Sequence, residues 1–225
     1  IYGYLNKFSK ESMVNSLGIA GSFCSGNLSF LENGDNTKIV HPGWASLSGC
    51  SAAKLVDFGI TGSESIFEDK NGIYNLYSDL SLEDKNFEFI KNDWKINGVS
   101  FKPYPICQLS ISTIRLASEI IDDLEVNDIK KVIIHLPEDS FDIVAKDKFF
   151  RSRPFSPYEA KFSIFWSLAT FLTIKELTID SFHEKYLENK LIENLANKIE
   201  VTTFKHTETA ASIPGKLEIH FTDGK

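Results

Sequence analysis

Apolar residues return every three or four positions in the first part of the chain, in the order Met13, Leu17, Ala20, Phe23. This spacing predicts a helix with Ser9 as its N-cap and Gly34 as its C-terminal stop. A second helix is predicted over Gly43 to Phe58 and ends at Gly59. Several glycines lie in or near these helices, and we expect them to mark close helix contacts: Gly21, Gly26, Gly43 and Gly49.

The pattern changes near Phe89. Trp94 to Phe101 favours a strand with a turn at Asn97-Gly98, and the β-branched run Ile129 to Leu136 is a second strand. Ser110 to Leu124 is an amphipathic helix whose inward face is Ile111, Ile114, Ala117, Ile120 and Ile121. Two helices and two strands are predicted after these, over Pro157 to Leu172, Ser181 to Lys198, Glu200 to His206 and Lys216 to Thr222.

This change divides the chain into two predicted parts. Residues 1–89 form a helical piece, residues 90–225 form an α+β piece, and the fold class is therefore α+β. The polar stretch Asp147 to Pro157 is predicted to be an exposed loop, in which Arg151 and Arg153 are solvated.

Composition excludes several classes of protein. The 225 residues carry 24 Lys and Arg against 31 Asp and Glu, a net charge of −7, so nucleic acid is not expected as a partner. An anionic substrate would be attracted by local cations instead of by the overall field. No apolar run reaches about 18 residues, and no signal-peptide pattern opens the chain, so no membrane association is expected.

Cysteine and histidine spacing argues against a metal centre. Cys24, Cys50 and Cys107 show no C-x-x-C pattern, which indicates reduced packing thiols in a cytoplasmic protein. The histidines and carboxylates do not fall at metal-ligand spacing, and no glycine-rich phosphate loop follows a strand.

The segment NTKIVHPGWASLSGC, from Asn36 to Cys50, combines groups suited to a carboxylate-rich molecule. Lys38 supplies a mobile positive charge, and His41 exchanges protons near neutral pH. Pro42 and Gly43 fit the first turn of a helix, where N–H groups favour negative charge.

A second basic turn follows at FKPYPICQ, from Phe101 to Gln108. Lys102 stands before the first of two prolines, which keeps it on a stiff extended turn. Lys38 and Lys102 together are therefore candidates to hold two carboxylates of one small substrate.

These residues resemble the MmgE/PrpD family, which includes 2-methylcitrate dehydratase, cis-aconitate decarboxylase and iminodisuccinate epimerase. Four strings in the family's order carry the resemblance: LGIAGSFCSGNLSFLENG (Leu17 to Gly34), TKIVHPGWASLSGCSAAKLVDFGITG (Thr37 to Gly62), KPYP (Lys102 to Pro105) and EAKFSIFWSLA (Glu159 to Ala169).

The resemblance implies part of a large all-helical domain followed by a smaller α+β lid domain, with an active site in the cleft between them. It also implies a homodimer that works without a cofactor. Family members resemble this chain from their middle onward, so we expect an internal fragment that is inactive alone, with the principal acid–base residues before Ile1. In such a fragment, Leu17, Phe23 and Leu28 would form an exposed apolar face that favours self-association.

By the same resemblance, Lys38 and Lys102 bind the substrate, and His41 is the catalytic candidate. A histidine that caps its helix or bonds within the core is an equal alternative for His41. Lys161 and Ser163, in the EAKFS string, are secondary substrate-binding candidates.

The chain departs from the family after the KPYP turn. Where many members carry a histidine, this chain has Cys107, for which a buried structural role is expected. The remaining histidines, His135, His183, His206 and His220, are interpreted as surface or packing residues.

The implied chemistry is removal of a proton beside a carboxylate, followed by loss of water or carbon dioxide, or by return of the proton to the other face. A lyase of the 2-methylcitrate dehydratase type acting on a small di- or tricarboxylate is the first hypothesis. An epimerase or decarboxylase of the same family is the second, and a non-catalytic binding or assembly module is the third.

Overall fold

The structure is a computed structural model that describes residues 1–78, 95–206 and 215–224. The chain forms two compact units. One comprises Ile1–Leu28 with Thr37–Gly98, and the other comprises Ser29–Asn36 with Val99–Lys225. The boundary expected at Phe89 falls on residues 79–94, outside the described ranges, and it stays a prediction.

The described residues form helices and a small mixed sheet, in chain order α1 (Tyr2–Leu5), α2 (Lys10–Ser22), α3 (Phe30–Asn33), α4 (His41–Asp57), α5 (Ile73–Tyr77), α6 (Ile111–Ser118), β1 (Ile129–Pro137), α7 (Glu138–Val144), α8 (Lys148–Arg151), α9 (Pro157–Ala160), α10 (Ile164–Ile174), α11 (Glu184–Leu187), α12 (Lys190–Asn197), β2 (Ile199–Phe204) and β3 (Lys216–Phe221). Short 3-10 helices occur at Thr37–Val40, Lys95–Gly98, Gln108–Ser110, Ile121–Asp123, Val126–Asp128 and Asp180–Phe182.

The start of α2 follows the prediction, but its end does not. The hydroxyl of Ser9 accepts a hydrogen bond from the N–H of Ser12 at 3.1 Å, which confirms the N-cap. The predicted continuation to Gly34 is wrong, because the helix ends at Ser22 and Gly26 has a φ of +100° that a helix cannot accommodate. Gly34 instead ends the separate short helix α3, with a φ of +69°.

The second predicted helix is confirmed as α4, which begins two residues earlier than expected. Pro42 lies in its first turn, and Gly59, with a φ of +81°, lies just beyond its end. Helix α2 packs along α4. The expectation of close contacts at Gly43 and Gly49 is wrong, since a Cβ atom at either position would have no neighbour within 4 Å.

The second unit is built on a three-stranded sheet in the order β2-β1-β3. Strand β1 is parallel to β2 and antiparallel to β3, with Ile134 opposite Val201 on one side and opposite Leu217 on the other. Along β1, Val132, Ile134 and Leu136 are buried. The three predicted strands Ile129 to Leu136, Glu200 to His206 and Lys216 to Thr222 are confirmed within one or two residues at their ends.

Helix α10 is the centre of the second unit's core. Its residues Ile164 to Leu172 are all buried, and it packs against α6 and α12. The predicted single helix Pro157 to Leu172 is wrong because the chain bends between α9 and α10, where Ser163 starts a new helix.

Other predicted helices are shorter than expected. The stretch Ser181 to Lys198 is a 3-10 turn followed by α11 and α12. In Ser110 to Leu124 the α-helix covers only Ile111–Ser118, and a separate 3-10 helix follows at Ile121–Asp123. Ile120 is exposed, unlike the other four residues of the predicted inward face. Lys95–Gly98 is a 3-10 helix instead of the predicted strand, whose first residue, Trp94, lies outside the described ranges.

Helices around a mixed sheet confirm the α+β class. In the part of the chain that the structure describes, no helix is long and apolar enough to cross a membrane.

Candidate functional site

The first candidate site lies at the start of α4, in the first unit. Lys38 is exposed and belongs to the 3-10 helix Thr37–Val40, which leads directly into α4 at His41. Val40 is the N-cap residue, and its apolar side chain makes no capping bond to the first-turn N–H groups. A cation, an imidazole and a helix N-terminus therefore stand within four residues of one another.

The His41 ring lies against the backbone of Gly26. A Cβ atom at Gly26 would lie 3.4 Å from Cγ of the ring and 3.5 Å from Nδ1. The positive φ of Gly26 also disfavours any other residue there. The chain therefore leaves the predicted long helix before Gly26, and this residue, which has no side chain, lies next to the His41 imidazole.

The second candidate site is the Lys102 turn, in the second unit. The Lys102 ammonium donates a hydrogen bond to the carbonyl of Ile106 at 3.0 Å, which closes the turn. The N–H of Cys107 then donates to the carbonyl of Lys161 at 3.0 Å. The structure thereby joins the KPYP turn to the EAKFS segment, although more than 50 residues separate them in the sequence.

Lys161 and Ser163 lie in very different surroundings. Lys161 is half-buried, and its ammonium lies 5.6 Å from the centre of the Phe182 ring. Ser163 is fully buried, donates to the carbonyl of Arg151 at 2.6 Å and accepts from the N–H of Trp166 at 3.0 Å. The serine hydroxyl is thus engaged in capping α10, and its role towards a substrate stays a prediction.

Arg151 was predicted to be solvated, and that prediction is wrong. Its side chain is only 7% exposed, and Nη1 donates to the carbonyl of Phe162 at 3.3 Å. Burial lowers the pKa of the guanidinium, and the carboxylate of Glu159 offsets part of that effect. Arg153, by contrast, is solvated as predicted, with a side chain that is 70% exposed.

Glu159 is buried at the start of α9. Its Oε2 accepts from the N–H of Phe155 at 2.7 Å, and its own N–H donates to the hydroxyl of Ser156 at 3.1 Å. The same hydroxyl donates to the carbonyl of Gly34 at 3.2 Å. The sequence Ser-Pro-Tyr-Glu contains the S-x-x-E signature of a helix start, which is the signal that could have identified these two residues.

Aromatic residues complete the surroundings of this segment. Phe30 makes edge contacts with Tyr158 at 6.5 Å and with Phe162 at 6.0 Å between ring centres. Burial raises the pKa of the Tyr158 hydroxyl, and the nearby Cys107 thiol adds to the effect. Cys107 is half-buried, whereas Cys24 and Cys50 are exposed, so the expected packing role is wrong for the latter two.

The structure therefore gathers three of the five candidates, Lys102, Lys161 and Ser163, around one backbone contact in the second unit. Lys38 and His41 are neighbours in the first unit. Within residues 1–78, 95–206 and 215–224, no three His, Cys, Asp or Glu side chains are arranged to hold a metal ion.

Two family models match the chain. The model described as the MmgE/PrpD N-terminal domain matches residues 1–85, and the one described as the MmgE/PrpD C-terminal domain matches residues 104–225. No curated protein gives a significant match.

Proposed function

The chain belongs to the MmgE/PrpD family, whose members include dehydratases, and from this premise we propose that its complete natural protein is a cofactor-free lyase of the 2-methylcitrate dehydratase type. Its substrate is a small di- or tricarboxylic acid. A proton beside a carboxylate is removed and water is lost. The match to both domains of the family carries this proposal.

The reaction needs cations where negative charge develops on the substrate. Lys38 and Lys102 take that role in the proposal. Lys102 is supported by its bond to the Ile106 carbonyl, which holds the ammonium in one position. An ammonium has three N–H donors, so two remain for a substrate carboxylate.

His41 is the proposed acid–base group of this part of the protein. It orients the substrate or relays a proton, as a positioned group with a suitable pKa must do. Its place at the first residue of α4, one turn after Lys38, supports this role because a carboxylate held by the lysine would also face the helix N-terminus. Lys161 and Ser163 stay secondary candidates for substrate contact.

The test is a lyase assay on the complete natural protein with 2-methylcitrate, citrate and cis-aconitate. Unsaturated product is followed by absorbance, and carbon dioxide release is measured separately. Lys38→Ala and Lys102→Ala are each expected to lower kcat/KM at least about a hundredfold, as for the loss of one charge-stabilising donor. Two exposed lysines outside the candidate sites provide matched controls, Lys54→Ala in α4 and Lys130→Ala in β1.

The same assay separates the alternatives. Carbon dioxide release without dehydration would replace the dehydratase with a decarboxylase, a reaction that Cys107 disfavours because it stands where decarboxylases of the family carry a histidine. If none of the three acids is converted, but the protein binds a tricarboxylate and loses that binding in Lys38→Ala or Lys102→Ala, an epimerase is favoured. If none is converted and no such binding is found, a non-catalytic module is favoured.

We also propose that the protein is a cytoplasmic homodimer. Of the three residues expected to form a face that associates with a second copy, Leu17 and Leu28 are exposed and Phe23 is half-buried. Sedimentation of the complete protein tests this proposal, and a monomer at micromolar concentration would contradict it.

A further inference from the structure

Three polar side chains form a continuous series of hydrogen bonds across the outer face of the sheet. The Thr202 hydroxyl on β2 lies 2.7 Å from Nδ1 of His135 on β1. Nε2 of the same imidazole lies 2.9 Å from Oε1 of Glu218 on β3. His135 was interpreted as a surface or packing residue from the sequence, and none of these residues takes part in the proposed lyase reaction.

The backbone ladders fix this arrangement. His135 lies directly opposite Thr202 in the parallel pairing and opposite Lys216 in the antiparallel pairing. Its neighbours Ile134 and Leu136 point into the core, so the imidazole lies on the outer face by strand alternation. Thr202 is exposed, and a molecule in solution can therefore reach its hydroxyl.

The charge of Glu218 determines which imidazole nitrogen carries the proton. Its Oε1 also lies 2.8 Å from the Lys216 ammonium, and the bonds from Lys216 and His135 lower the pKa of this carboxyl to about 2. An ionised carboxylate only accepts hydrogen bonds, so Nε2 of the neutral imidazole donates to it. Nδ1 is then the acceptor, and the Thr202 hydroxyl donates to it.

A second acceptor for the Thr202 hydroxyl is weaker. The carbonyl of Ile134 lies 3.5 Å away, against 2.7 Å for the imidazole. The hydroxyl proton is therefore directed to His135. A hydroxyl bonded to an imidazole that a carboxylate orients is the arrangement of an activated nucleophile.

We propose that Thr202 is a nucleophile, with His135 as its general base and Glu218 as a positioning residue, and that it accepts the acyl group of a small activated ester or thioester. This inference goes beyond the proposed lyase function and is independent of it.

The step balances without any co-reactant other than the acyl donor. The Thr202 Oγ1 attacks the carbonyl carbon, its proton passes to Nδ1 of His135, and a new O–C bond forms. The bond to the aryloxide or thiolate leaving group breaks, and that group takes the bonding pair and then a proton. The product is an O-acylated threonine, which water hydrolyses slowly to regenerate the hydroxyl.

The experiment treats the complete chain with p-nitrophenyl acetate. Release of p-nitrophenolate is followed by absorbance, and peptide mass spectrometry locates the acetyl group. We expect acetylation of Thr202 and a burst of p-nitrophenolate. Thr202→Val should abolish the Thr202 adduct and lower the burst rate at least about a hundredfold, the lower limit for loss of general-base catalysis, and Thr202→Ser should restore both.

One matched control comes from the same sheet. Thr203→Val changes an exposed threonine on the other face of β2 and should leave the burst unchanged. His135→Gln should lower the rate as strongly as Thr202→Val, whereas His183→Gln removes an exposed imidazole outside the sheet and should not. Glu218→Gln should lower the rate by less than the roughly hundredfold loss expected for His135→Gln, with the Thr202 adduct still formed, because only the orientation of the base is impaired.

Urea unfolding shows whether each variant is folded, and only folded variants enter the comparison of burst rates. Acetylation confined to lysines, or an adduct at Thr202 that persists at full rate in His135→Gln, would overturn the proposal. An equal burst from Thr202→Val and the unchanged protein would also overturn it.

Discussion

The backbones of Gly18 and Gly62 are in direct contact. A Cβ atom at Gly18 would lie 2.6 Å from the carbonyl carbon of Gly62 and 2.5 Å from the carbonyl oxygen of Ser63. The N–H of Gly62 donates to Oδ1 of Asn15 at 3.0 Å. The segment after α4 is therefore held against α2 by a contact that only glycines allow.

The first prediction concerns this contact. Gly18→Ala should lower the free energy of unfolding by about 3 kcal/mol, the upper end for overpacking, because the neighbouring atoms are backbone and cannot rotate away. Gly49→Ala, in α4, is the matched control. Its Cβ meets nothing within 4 Å, so helix propensity alone should raise stability by about 1 kcal/mol. Urea unfolding measures both, and equal effects of the two changes would contradict the close contact.

The position of the close contact could not be predicted from sequence. Gly43 and Gly49 are in helix α4, as predicted, yet they face open space, while Gly18 and Gly62 carry the contact. Which glycine touches another segment depends on how a distant loop packs. Helical periodicity does not contain that information.

Local signals were sufficient elsewhere. The β-branched run of β1 and the Ser9 cap were found from neighbouring residues alone. The burial of Arg151 could not be predicted in this way, because it depends on Phe162, 11 positions away, and on the carboxylate of Glu159. Likewise, the join between Cys107 and Lys161 is a backbone bond between remote segments, for which a sequence gives no local signal.

The second prediction tests the structural role of Ser163. Ser163→Ala removes the cap of α10 and the donor to the Arg151 carbonyl, and it should cost about 2 kcal/mol of unfolding free energy. Ser9→Ala removes the exposed cap of α2 and the bond from its hydroxyl to Oγ of Ser12, and it should cost about 1 kcal/mol. Urea unfolding compares the two. Unchanged stability of Ser163→Ala with a raised KM would instead assign the hydroxyl to the substrate.

The third prediction concerns the buried guanidinium. Arg151→Met removes a buried guanidinium that bonds the Phe162 carbonyl and interacts with the Glu159 carboxylate, and it should cost about 3 kcal/mol. Arg153→Met makes the same change at an exposed position, 3.6 Å from Glu193, and should cost less than about 1 kcal/mol. Thermal or urea unfolding distinguishes them, and a mild effect at Arg151 would mean that the buried charge contributes little.

The fourth prediction is a pH dependence of stability. The folded-state pKa of Glu218 is lowered from 4.5 to about 2 by bonds from Lys216 and His135. A lowered pKa gives stability that is present above about pH 4.5 and is lost as the pH falls towards 2, because the unfolded state binds the proton first. Glu218→Gln should therefore flatten the decline of the urea midpoint between these two pH values. Parallel curves for the two proteins would contradict the ion pair.

The last prediction connects the backbone at Gly26 with the role of His41. Gly26→Ala and Gly59→Ala both place a side chain at a positive φ and should cost a similar amount, about 1 kcal/mol. Only at Gly26 does the new methyl group meet another side chain, 3.4 Å from the His41 ring, whereas nothing lies within 4 Å of a Cβ at Gly59.

Because the methyl group would cover one face of the imidazole, Gly26→Ala should slow modification of His41 by an acylating reagent, and Gly59→Ala should not. If His41 moves a proton in the proposed reaction, kcat should fall in Gly26→Ala alone, at equal stability of the two variants. Slower modification with an unchanged kcat would show that His41 has a structural role at the start of α4, and that another group is the acid–base residue.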